Sequence, residues 1–149
     1  MPPASFWPKV DVTDSPVSSV AYFDNTFEEA LALARETRNY IVYQDAVEAA
    51  KLDPAERLVV SCESMRVTAR VGQIIAWLLV QKAVHAGELS RDAAAEEPYR
   101  LAGRKVCSES GLIADEKIPQ RLTELLERSH SLYTRVERLD AMLGDLSPH

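Results

Sequence analysis

Glu63-Ser64-Met65-Arg66-Val67-Thr68-Ala69-Arg70-Val71-Gly72-Gln73-Ile74-Ile75-Ala76-Trp77-Leu78-Leu79-Val80-Gln81-Lys82-Ala83-Val84 lies at the centre of two adjacent lines of mostly apolar or small residues. One runs Leu58, Cys62, Met65, Ala69, Gly72, Ala76, Leu79, Ala83, Ala86, in steps of four and three; the other runs Val60, Ser64, Val67, Val71, Ile74, Leu78. That rhythm marks an α-helix with a broad apolar stripe. Its limits are legible too. Asp53 can accept from free backbone N–H groups, Pro54 suits the first helical position, and Glu56 completes a D-x-x-E capping box. Gly87 is the natural stop, so the helix is expected over 54–87. Ala69, Gly72 and Ala76 let a neighbouring helix backbone come close. From Ile74 to Val80 every residue is apolar, which predicts a central helix packed on more than one side, with Ile74, Ile75, Leu78 and Leu79 in its core or dimer contact.

Outward from this helix, a first helix is expected over about 19–48. Ser18 or Ser19 can cap it, and its seam is Val20, Phe23, Phe27, Ala30, Ala34, Thr37, Ile41. Tyr40 to Tyr43 can also be written as a short strand, but no second alternating run exists to pair with it. On the other side, Ser90 caps a short helix closed by Pro98. From Tyr99 to Ile118 the periodicity fails, leaving a linker over 98–118 that is long for a structureless connection. The last helix, about 119–143, opens at Pro119. Its seam is Ile118, Leu122, Leu125, Ser129, Leu132, Val136, Leu139, Leu143, and Gly144 is read as its end. Residues 1–18 contain four of the eight prolines without periodicity, an arm in which Phe6 and Trp7 can dock on the body or on a partner. Residues 145–149 form a short tail. Three amphipathic helices in sequence predict an all-α fold, an antiparallel three-helix bundle within one domain over 19–144. The apolar excess around Ile74 to Val80 predicts a symmetric homodimer through the central helix.

The formal net charge of −6 argues against a nucleic-acid partner, since the general attraction to phosphate is missing. No charged start followed by an apolar run marks a secretory signal, and no stretch approaches the roughly 20 apolar residues that span a bilayer. The two cysteines, Cys62 on the seam and Cys107 in the linker, make neither a disulfide framework nor a metal set, as expected of a cytoplasmic protein. Cys62 reads as a small buried hydrophobe; Cys107 can be exposed, but no histidine or basic cluster is tied to it apart from Arg104 and Lys105, which argues against a nucleophile.

Chemistry is sparse. His85 and His130 have no second ligand at metal spacing, Ser61 and Ser64 lack a nucleophile elbow, and Gly-rich phosphate loops are absent, so no catalytic, cofactor or metal site is expected. A phosphotransfer module would need an exposed His130 with little bulk nearby, but Tyr133 and Thr134 stand along that ridge. The polar ridge of the central helix is more informative. Glu63, Arg66, Arg70, Gln73 and Trp77 follow at steps of three and four, with Gln81 and Lys82 continuing the line. Arg and Trp are common interface anchors, so the ridge is a candidate partner surface. Equally, Arg66 and Arg70 can pair with acids of the first or last helix while Trp77 packs inside.

These residues also carry a resemblance. Glu63 to Arg70, then Gln73, then Trp77 to Val84, resembles the signature of the alphaproteobacterial regulator of CtrA degradation (RcdA) family, and the helical body from about Ala21 to Leu143 is similar throughout. The resemblance implies a dimeric three-helix bundle that performs no chemistry. It further implies an adaptor that works with the ClpX unfoldase and a receiver-domain protein, presenting cell-cycle regulators such as CtrA to the ClpXP protease. The alternative is a helical signalling module of the phosphotransfer type or another scaffold.

Overall fold

The computed structural model describes residues 20–43, 47–107 and 118–146. Among them every regular element is helical: α1 (Val20–Tyr43), α2 (Pro54–His85), α3 (Arg91–Ala94), α4 (Arg104–Cys107) and α5 (Gln120–Leu146), with 3₁₀ turns at Ala49–Lys51 and Glu97–Tyr99. The expected arm with Phe6 and Trp7, and the Ser18 or Ser19 cap, lie outside the described residues.

The limits of α2 follow from its end residues. Asp53 Oδ1 accepts from Glu56 N at 2.8 Å, and Pro54 enters the first turn without needing a donor. At the other end Gly87 takes φ +77, Glu88 N donates to Ala83 O and Gly87 N donates to Val84 O, the paired bonds of a Schellman stop. Ser90 caps α3 by accepting from Ala93 N. Pro98, however, does not close that helix; it sits within the 3₁₀ turn that follows. Among the described residues the first helix is Val20–Tyr43, the stretch just beyond it lying outside them, and α5 runs through Gly144. Gly144 has another use: a Cβ there would meet the Arg100 guanidinium at 2.7 Å, so its bareness lets that side chain lie across α5.

The direction of the three long helices corrects the sequence expectation. Phe23, early in α1, meets Trp77 and His85, late in α2, so these two run antiparallel. Glu36 pairs with Arg128 and Glu29 with Arg135, so α1 is also antiparallel to α5. But Arg70 meets Ser129 and Trp77 meets Asp140, with both numbers rising together. Helices α2 and α5 are therefore parallel, not antiparallel. Parallel neighbours need a connection that returns the chain to its starting end, as in bundles with a long crossover. Residues 86–119 are that connection. Its length is a requirement of topology.

The core lies where the three long helices meet: Phe23, Ala30, Leu33 and Tyr40 from α1; Val60, Val67, Val71, Ile74, Trp77 and Leu78 from α2; and Leu122, Leu125, Leu132, Tyr133, Val136 and Leu139 from α5. The α5 seam is thus mostly as expected, with Ile118 and Leu143 at its half-buried ends. Of the two α2 lines, the one through Val67, Val71 and Leu78 faces the core. The small-residue line faces outward.

Candidate functional site: a clasp and an open face on one helix

Two faces of α2 offer recognition chemistry, and they differ in kind. The polar ridge is not an open surface. Arg70 is 1% exposed and spreads its guanidinium among three acceptors: Nε donates to Cys107 O at 2.8 Å, and one terminal nitrogen donates to Leu126 O at 3.0 Å and Ser129 Oγ at 3.1 Å. One turn earlier, Arg66 donates to Val106 O at 2.7 Å and pairs with buried Glu63 at 3.3 Å. One turn later, Gln73 Oε1 accepts from Ala102 N at 3.2 Å. Trp77 is buried and gives its indole N–H to Asp140 Oδ1 at 3.0 Å. Gln81 is buried and Lys82 half-buried.

The other half of this network comes from the crossover and from α5. Arg100 Nε and Leu101 N both donate to Asp140 Oδ1, at 2.8 and 3.4 Å, and Tyr133 OH donates to Ala102 O at 3.0 Å. As the crossover runs from Arg100 to Cys107, it passes Gln73 first and Arg70 later, so it lies antiparallel along α2 as a strap. Leu101 and Cys107 are its buried side chains. Gly103, at φ +74, turns the strap between them, and a Cβ there would press on Cys107 Sγ at 3.2 Å. The last carbonyls of the short helix α4 have no partner within it, and the two arginines supply donors to Val106 O and Cys107 O. Burial, and Arg66 beside it, pull the Arg70 pKa below the usual guanidinium value, while Cys107 and Glu63 oppose the fall. Burial pushes the Cys107 thiol up against the opposing pull of Arg70 and Arg66, which disfavours the reactive thiolate.

The readings of the ridge are therefore corrected in part. Glu63, Arg70, Trp77 and Gln81 face the chain's own interior, and the arginines spend their donors mainly on carbonyls rather than on acids of α1 or α5. The two cysteines exchange roles, Cys62 being exposed and Cys107 buried. Ile74 and Leu78 are core, Ile75 is half-buried, and Leu79 is 46% exposed. Asp140, Arg100, Leu101 and Tyr133 were absent from the sequence-derived site. Asp140 had left a trace, since Tyr133, Val136 and Asp140 follow at helical steps and place an acid on an otherwise apolar line.

The second face is the outward line. Between Ser61 and Leu79 the exposed residues of α2 are Ser61, Cys62, Met65, Thr68, Gly72, Ala76 and Leu79, none of them charged. Met65 is 70% exposed, and Leu58 lengthens the strip at 65%. From Leu58 to Leu79 it spans about 32 Å at 1.5 Å per residue. A Cβ added at Gly72 would meet nothing within 4 Å, so packing within the chain does not explain a glycine in mid-helix. Among the described residues no group of three or more His, Cys, Asp or Glu can hold a metal ion, and no helix is long and apolar enough to cross a membrane. His130 is half-buried, with Thr134 Oγ1 donating to its carbonyl.

A family model described as "Protein of unknown function (DUF1465)" matches residues 15–148. The crystal structure of RcdA from Caulobacter crescentus CB15 matches with a TM-score of 0.68 at 36% sequence identity, covering 92% of this chain and 98% of that one. The chain belongs to the RcdA family. None of the curated proteins compared matches it. In this RcdA-family chain the residues that carry the resemblance, Glu63 to Arg70 with Gln73 and Trp77, are the α2 half of the clasp.

Proposed function

We propose that the chain is a non-enzymatic regulatory adaptor that helps deliver cell-cycle regulators such as CtrA to the ClpXP protease, acting as a cytoplasmic homodimer. The observation that carries this reading is its kinship with RcdA over nearly the full length of both chains. An adaptor raises the local concentration of a client at the unfoldase, for which weak docking faces suffice and no catalytic centre is needed. The uncharged outward strip of α2 supports the homodimer: Gly72 and Ala76 let two copies of the helix cross closely, with Leu58, Met65 and Leu79 filling the flanks. The ridge Glu63, Arg66, Arg70, Gln73, Trp77, Gln81 and Lys82, covered by the strap in this structure, enters the reading as the surface that engages the unfoldase, the receiver-domain partner or the client once uncovered.

The test is reconstituted proteolysis with purified ClpX, ClpP, the receiver-domain partner and CtrA, run with and without the chain. Faster CtrA turnover that saturates with adaptor concentration is the expected result. Unchanged turnover, together with capture of no unfoldase, receiver-domain protein or regulator from the organism's own cytosol, overturns the reading.

A further inference from the structure

We propose that the strap over Tyr99–Cys107 is a hinged cover, opening as a unit while α1, α2 and α5 stay packed, and that its opening uncovers the clasp ridge of α2. The proposal rests on the adaptor reading only for what the uncovered ridge then binds; the opening itself is independent of it.

Three features argue for a separate opening unit. The strap buries only two side chains, Leu101 and Cys107, and is tied to α5 by the Arg100–Asp140 pair and the Tyr133 hydroxyl, while Tyr99, Ala102, Lys105 and Val106 are exposed. Segments with few buried apolar contacts and exposed backbone bonds open below the global unfolding free energy. Its main-chain bonds to α2 run to long side chains that can swing with it, Arg66 to Val106 O, Arg70 to Cys107 O and Gln73 to Ala102 N, so opening breaks outright only the bonds to α5, Leu101 N to Asp140 and Tyr133 OH to Ala102 O. And the helices do not need the strap to meet one another. Arg70 keeps Leu126 O and Ser129 Oγ, and Trp77 keeps Asp140, when Cys107 O leaves. What the open state presents is a row of guanidinium and amide groups that have just released main-chain carbonyls and an N–H. On the adaptor reading, that row takes the main chain of an extended segment of a partner protein, with an aliphatic side chain in the place of Leu101.

The two cysteines make the opening measurable in the full chain. Cys62 is exposed and serves as an internal reference; Cys107 belongs to the strap and is buried on its inner side. Labelling with an excess thiol reagent, resolved by mass spectrometry of the two peptides, reads the Cys107 rate across low denaturant. The expected result is a Cys107 rate that changes little with denaturant below the unfolding transition. It rises about 30-fold or more in Leu101→Ala, taken from the usual cost of a buried Leu-to-Ala truncation. Leu33→Ala, in the α1 core away from the strap, leaves the rate within about twofold although it lowers global stability. A Cys107 rate that follows the full denaturant dependence of unfolding in the unaltered chain, or that Leu33→Ala accelerates as much as Leu101→Ala does, overturns the proposal. Either result leaves the proteolysis assay to decide the adaptor reading separately.

Discussion

Arg70→Glu separates a ridge that holds the fold from one that merely decorates it. The introduced carboxylate would sit in a position 1% exposed, facing Cys107 O, Leu126 O and Ser129 Oγ. Two of its nearest partners are carbonyl oxygens, which repel an anion. Forcing the carboxyl to stay neutral at pH 7, from an ordinary value of about 4.3, costs roughly 4 kcal/mol. Cys107 O, left without its charged donor, adds about 1–3 kcal/mol. Arg66, one turn back, offsets part of this, so the net loss is about 4–6 kcal/mol. Single domains have about 5–15 kcal/mol in all. At about 3 °C per kcal/mol, the midpoint falls by about 12–18 °C, or the cooperative transition disappears. Arg70→Met, which keeps an apolar stem and introduces no charge, should lose only about 2 kcal/mol through the orphaned carbonyl. Far-ultraviolet circular dichroism across temperature and urea reads both variants. Arg70→Glu melting within a couple of degrees of the unaltered chain would refute the buried clasp and return the ridge to the role of an open docking face.

Other perturbations test the remaining parts. Gly72→Ala should raise the stability of the single chain by up to about 1 kcal/mol, because glycine is a poor helix former and nothing opposes the added Cβ. The same change should weaken self-association in sedimentation equilibrium; undiminished association would place the dimer contact elsewhere. Asp140→Asn should cost about 2–3 kcal/mol by urea titration, since Asp140 Oδ1 accepts from Trp77, Arg100 and Leu101 at once, and the near-ultraviolet signal of the indole should change with it. Burial, reinforced by Arg91, holds His85 below its ordinary value of 6.5. The unfolded chain therefore takes up the proton first as pH falls, so the His85 contribution is fully present above about 6.5 and is lost as pH drops through the lower folded value. Melting midpoints from pH 8 to pH 5 should fall more steeply for the unaltered chain than for His85→Gln. Glu36→Ala, which breaks an exposed pair with Arg128, should cost less than about 1 kcal/mol despite the 2.5 Å contact.

The elements written into the sequence locally were legible there. Asp53, Pro54 and Gly87 set the ends of α2 through bonds to residues at most five positions away, and α5 shows its seam because Leu122, Leu125, Ser129, Leu132, Val136 and Leu139 need only one helix to form a line. What covers a line is a different matter. The two α2 seams read alike, yet one is core and the other faces outward, and contacts as distant as Arg70 to Ser129 decide which. Helix direction is hidden from the sequence for the same reason. Periodicity says that 119–143 is amphipathic but carries no sign of direction, and the only hint of a parallel pair was a linker too long for a hairpin. Gly144 reads as a stop, because glycine does that work at Gly87. The close approach of Arg100 that explains it involves a residue far away in sequence.

The clasp also accounts for why the ridge mixes charge, amide and indole where packing alone would accept leucine. Parallel α2 and α5 require a return connection, and a strap laid along α2 brings its irregular main chain and the last carbonyls of α4 into a partly dry place without partners of their own. Donors must then come from side chains long enough to reach and fixed enough not to wander. Arginine answers with a rigid fork of donors, and Gln73 accepts from the strap N–H of Ala102. Trp77 and Asp140 perform the same service at the far end, where Asp140 Oδ1 joins the α2 indole to the strap through Arg100 and Leu101. The motif is thus a consequence of helix direction. Changes in the clasp residues should therefore act on folding and on strap opening, whereas changes in the outward strip, at Met65, Gly72 or Leu79, should act on assembly and leave the single chain folded. Measuring stability and self-association on both sets of variants would expose any coupling, and a strip variant that unfolds the chain would break the division.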